Sequence, residues 1–136
     1  MLFLLVMSSV QVFAATREER AYAAAVMDFQ TGMWSRAETE FSQFVDHYQN
    51  STNVPMAVLL EAQAQFQQRK FTSVVALLDG RKATAGNLAD QYAAWIGEAQ
   101  LADQKYPAAA AAFESLVKDF PESPLQLRAV VQLVSC

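Results

Sequence analysis

The chain has 136 residues, of which 53% are hydrophobic and 18% charged, with only four Gly and four Pro. That is too apolar for a disordered polymer, and the length suits one domain or part of one. A net charge of −4 without any Lys/Arg cluster argues against a nucleic-acid surface, and the single cysteine, Cys136, leaves no intrachain disulfide or cysteine metal cluster to form.

The first residues read as an address. Leu2–Met7 opens an apolar run that continues to Phe13, and Val12-Phe13-Ala14 places small or medium residues at the −3 and −1 positions of a signal-peptidase site. Residues 1–14 are therefore expected to be a secretory signal peptide, although no Lys or Arg precedes the apolar run. The run is too short to span a bilayer, which needs about 20 apolar residues. Cleavage and retention as an anchor both remain open, and the mature chain is not expected to span a membrane. No cysteine follows the run to carry a lipid anchor at this site.

From there the pattern is helical. The spacing predicts helices over residues 17–30, 35–48, 56–68, 72–78, 88–103, 107–119 and 125–136. Gly32 is placed to end the first helix. Ala37, Phe41, Phe44, Val45 and Tyr48 form the buried stripe of the second. Pro55 and Pro107 sit in first turns, where a missing N–H costs little. The fourth helix is expected to be short or frayed near Gly80. The seventh ends without a polar cap, which predicts a truncated chain or an end covered by a partner.

These helices repeat. Residues 34–51 and 106–123 superimpose without a gap at an offset of 72, aligning Trp34 with Tyr106, Ala37 with Ala109, Phe41 with Phe113, Phe44 with Leu116, Tyr48 with Phe120 and Ser51 with Ser123. Phe71, Val74 and Leu78 supply an intermediate unit at offsets of 37 and 35, close to the period of a helix-pair repeat. A small residue recurs at Ala25, Ala62 and Gly97, which predicts a close helix crossing there.

Small at Ala25, Ala62 and Gly97, aromatic at Trp34, Phe71 and Tyr106, small or branched at Ala37, Val74 and Ala109, and bulky at Phe41, Leu78 and Phe113: the set resembles the tetratricopeptide repeat. That resemblance covers about residues 17–123. It implies an all-α right-handed α–α superhelix, a TPR-like solenoid of three helix pairs plus the start of a fourth, with repeats at about 18–53, 55–88, 90–123 and a partial unit over 124–136. Phe41-Ser42-Gln43-Phe44…Tyr48…Ser51 and Phe113-Glu114-Ser115-Leu116…Phe120…Ser123 are also similar to a bacterial envelope subgroup, which includes the Tol–Pal-associated cell-division coordinator and the BamD-type outer-membrane assembly lipoprotein.

Function is less legible. His47 is the sole histidine and is expected to face solvent, too isolated to build a zinc site. Glu18, Glu19, Glu38 and Glu40 read as surface charges, and Asp28 has no partner placed to tune it as a base. No phosphate loop or nucleophile elbow occurs, so neither a cofactor nor a catalytic or metal site is expected.

What the resemblance implies is a groove lined by the first helix of each pair. Its residues here are Tyr22, Val26, Phe29 and Gln30; Leu59, Gln63, Phe66 and Gln67; and Ala94 or Trp95, Glu98, Leu101 and Ala102. This set lacks a Lys/Arg clamp for a terminal carboxylate and suits an apolar extended or helical peptide. Phe29, Phe66 and Leu101 recur at one repeat position, so packing between helices is the favoured reading for them; Tyr22 and Trp95 are the stronger contact candidates. The expected function is a non-enzymatic protein-interaction scaffold of the bacterial periplasm or envelope. The alternatives are a component of an outer-membrane assembly or cell-division complex, and a regulatory segment of a longer envelope enzyme.

Overall fold

The computed structural model describes residues 14–136. The expected signal peptide lies outside the described residues, apart from Ala14. The described chain is seven α-helices: α1 (Arg17–Gln30), α2 (Trp34–His47), α3 (Val54–Gln67), α4 (Phe71–Gly80), α5 (Ala89–Ala102), α6 (Tyr106–Asp119) and α7 (Gln126–Val134). Two 3₁₀ turns, Lys82–Thr84 and Gly86–Leu88, join α4 to α5. Each helix packs on the next in chain order, and α3 also touches α1 and α5. The architecture is an all-α TPR-like solenoid, as expected.

Local chemistry explains the boundaries. Thr16 caps α1 through a reciprocal box: its Oγ1 accepts the Glu19 N–H at 3.1 Å, and Glu19 Oε2 accepts the Thr16 N–H at 2.7 Å. Glu19 is thus a cap, where the sequence suggested only a surface charge. Gly32 ends α1 in the left-handed region at φ +75, and the Met33 N–H reaches back to the Asp28 carbonyl at 2.8 Å. The same turn recurs at Arg69 (φ 61) and Gln104 (φ 59), where Lys70 and Lys105 donate to the Gln65 and Gln100 carbonyls at 2.9 and 2.8 Å.

The turns after α2 and α6 also match bond for bond. Ser51 Oγ accepts the Asn53 N–H at 3.1 Å, and Ser123 Oγ accepts the Leu125 N–H at 3.1 Å. That is the physical content of aligning Ser51 with Ser123. The middle unit departs, since α4 has ten residues where α1, α2, α3, α5 and α6 have fourteen.

The core alternates bulk and smallness. Ala25 and Ala62 are fully buried in the same core cluster as the large side chains Phe41, Phe44 and Leu59. At Gly97 the crossing is tight: an added Cβ would lie 2.6 Å from Phe113 Cε1. The phenyl ring occupies the space that a side chain would need. Tyr92 ties α5 to the start of α3, its hydroxyl donating to the Pro55 carbonyl at 2.7 Å. Burial pushes its phenol up to about 12.

Candidate binding groove

The predicted groove residues stand on α1, α3 and α5, and they differ widely in exposure. Leu59 is 1% exposed and packs in the core, so it has nothing to offer a partner. Tyr22 is half-buried, with its ring 5.3 Å from that of Phe44 and 6.2 Å from that of Phe41. Its ring spans the α1–α2 interface, so the contacts it makes in the structure are those of helix packing.

Phe29 meets Trp34 edge-on at 5.2 Å and also contacts Phe41. Phe66 lies between Phe71 and Trp95, 5.2 Å from each. Leu101 packs beside Ala109, Phe113 and Leu116. For these three the helix-packing reading accounts for their contacts. Val26 and Gln63 are half-buried, while Gln30, Gln67 and Ala102 are exposed.

The third unit is different. Ala94, Trp95 and Glu98 of α5 line an open cavity of about 220 Å³ together with Asp90, Leu125 and Arg128. Trp95 forms one wall, braced from behind by Phe66 at 74° between ring planes. Glu98 is held in place: Arg128 Nη2 lies 2.8 Å from Oε1, and Gln132 Nε2 donates to the same carboxylate at 3.1 Å. On the far side, Ser123 Oγ donates to Asp90 Oδ2 at 2.6 Å, fixing the turn that leads into α7. The site thus combines an apolar wall with a clamped acid–base pair, which suits a peptide's apolar side chain and its backbone polar groups.

The structure brings together Ala94, Trp95 and Glu98 of the predicted set, and adds Asp90, Leu125 and Arg128. Arg128 is the residue at an offset of 72 from Met56, a position that helix-by-helix reading of the first three pairs did not reach. His47 is exposed, its Nδ1 2.8 Å from the Gln43 carbonyl oxygen.

Residues 95–123 match the family model of the tetratricopeptide repeat. The matched stretch runs from the groove wall at Trp95 to the turn serine Ser123, and supports a tetratricopeptide-repeat protein. No curated protein matches the chain. No helix among the described residues is long and apolar enough to cross a membrane.

Proposed function

We propose that this protein is a non-catalytic scaffold that binds a segment of a partner protein in the cavity between α5 and α7, and that it works in the bacterial envelope. The observation that carries the binding reading is the cavity of Trp95, Glu98 and Arg128, whose polar groups are already paired and whose apolar wall is open to solvent. A pre-paired site pays little ordering entropy when a peptide docks. Two features support the envelope setting: the apolar segment from Leu2 to Phe13, and the likeness of the Phe41–Ser51 and Phe113–Ser123 stretches to envelope repeat proteins. Tetratricopeptide repeats serve as protein-binding modules, which agrees with the match over residues 95–123.

The test is capture from bacterial envelope extract by the chain beginning at Ala15, comparing wild type with Arg128→Ala and Trp95→Ala. The Arg128 side chain is 61% exposed, so its replacement should shift stability by no more than about 0.5 kcal/mol. Trp95→Ala removes a half-buried ring packed on the core and on Phe66, so it should lose about 2–4 kcal/mol while Arg128→Ala keeps the test free of that loss. A specific partner lost with both variants supports the reading. Equal recovery with all three proteins sinks it.

A further inference from the structure

A second polar site lies away from this groove, in a notch where α2, α3 and the start of α4 meet. Its floor is Glu61 of α3, only 7% exposed and, among the described residues, without a hydrogen-bond or ion-pair partner. The walls come from Glu38, Thr39, Ser42 and Gln43 of α2 and from Lys70, enclosing a cavity of about 320 Å³ open to solvent. A buried carboxylate with no partner is expensive to keep in a fold, yet this one points into a lined notch.

We propose that the notch receives a single arginine side chain of a partner protein, its guanidinium seated on the Glu61 carboxylate and donating also to the hydroxyls of Thr39 and Ser42 and to the Gln43 amide oxygen. The charge balance selects a monovalent cation. Glu38 is already closed off by Lys70 Nζ at 2.7 Å and by Gln68 Nε2 at 2.7 Å. Glu61 is therefore the one carboxylate left to neutralise, too few for a calcium site, which takes six to eight oxygens. The remaining acceptors are neutral and spread around the walls. That arrangement fits the five donors of a planar guanidinium better than the compact, strongly hydrated ammonium of lysine.

The surroundings make such binding sensitive to pH. Burial pushes the Glu61 carboxyl up to about 7, helped by the nearby Glu38 and Asp46 of α2 and opposed by Arg81 beyond α4. From α5 the facing group is the Tyr92 phenol, neutral well above this range. The acid of α1, Asp28, turns instead to Arg36 at 3.1 Å. An arriving guanidinium stabilises the ionised carboxylate and so releases a proton. This inference does not depend on the α5–α7 groove.

The experiment is a nitrogen-15 chemical-shift titration of the whole chain with N-acetyl-arginine amide, using the neutral N-acetyl-citrulline amide as control. Saturable shifts at the Ser42 and Glu61 amides are expected at about pH 8, with affinity about tenfold weaker at about pH 6 as Glu61 takes up its proton. Citrulline should produce none, and Glu61→Gln should abolish the shifts at both pH values. The absence of saturable shifts in the notch overturns the proposal, as does unchanged affinity in Glu61→Gln. A lysine amide that binds as tightly overturns the assignment to arginine.

Discussion

The second and third helix pairs occupy equivalent places in the solenoid, their first helices 35 residues apart; besides the shorter α4, they differ in the chemistry of one buried position. Glu61 of α3 and Ile96 of α5 hold the same repeat position and are buried alike, at 7% and 6% exposure. Glu61 opens onto a notch walled by Glu38, Thr39 and Lys70, whereas Ile96 packs into the hydrophobic core. One repeat on, the side chains at the positions of Glu38, Thr39 and Lys70 are Val75, Ala76 and Lys105. Burial at this position comes from the packing of helix pairs, which both units share. Chemistry at the position comes from which side chains line the adjoining notch, which they do not share. A repeat fold can therefore carry a charge at an apolar register, provided that the neighbouring walls supply polar surface.

The severest way to break this comparison is to put the charge where the walls are apolar. Ile96→Glu should destabilise the protein by about 3–5 kcal/mol at neutral pH, since it loses apolar burial and strands a carboxylate in the hydrophobic core. Denaturant melts should show much of the loss recovered near pH 4, where the new carboxyl is protonated. A mild effect at neutral pH would mean that position 96 reaches polar surface as position 61 does.

The converse change should stabilise. The Glu61 carboxyl titrates near 4.5 when unfolded and near 7 when folded. For an acid shifted upward, the folded state holds the proton more tightly. Stability is therefore full below about pH 4.5, declines as pH rises through the window from 4.5 to 7, and stays lower above it. Glu61→Gln removes that decline. Without a cationic ligand, the variant should match wild type at acid pH and exceed it by on the order of 3 kcal/mol at pH 8. Parallel stability profiles for the two proteins would show that Glu61 is solvated as freely as a surface carboxylate.

Next to Ile96 the third unit has its own peculiarity, the Gly97 contact with Phe113. Gly97→Ala gains up to about 1 kcal/mol of helix propensity but drives a Cβ into a buried ring at 2.6 Å. Overpacking of that kind costs about 1–3 kcal/mol, so a net loss of about 1 kcal/mol is expected, read as a drop of a few degrees in Tm. A gain would show that Phe113 can move aside, and that the crossing is looser than its geometry.

The sequence revealed volume and period better than it revealed direction. The small residue at Gly97 marked a real crossing, and Ala25 and Ala62 are fully buried, because helix separation depends on side-chain size and size is written in the residue type. Which stripe of a helix faces outward is not written there. Leu59 and Tyr22 share the repeat register of Ala94, yet only Ala94 lines the cavity. Arg128 and Leu125 reach the site through contacts between units, invisible to a reading that takes each helix alone. Glu61 was a signal passed over: a charged residue aligned with Ala24 and Ile96 was visible in the register.

The smallest expected effect lies where the two units agree, and so tests whether the turn after the first helix is equivalent in both. Arg69 and Gln104 hold the left-handed turn that Gly32 holds in the first pair. Residue type did not announce them, because the closing bonds from Lys70 and Lys105 impose the conformation on whatever stands there. A side chain in this region carries a steric penalty that glycine avoids, of about 1 kcal/mol, partly offset by the greater freedom of glycine in the unfolded chain. From the backbone alone, Arg69→Gly and Gln104→Gly would each gain about 0.5 kcal/mol, measured by denaturant melts. Arg69 also stands over the Phe71 ring at 5.7 Å, a contact that Gln104 lacks; an exposed cation–π pair is worth about 0.5 kcal/mol. The gain at position 69 should therefore be the smaller of the two. If position 69 instead loses much more than that contact can explain, the second unit differs from the third in its backbone as well as in its notch.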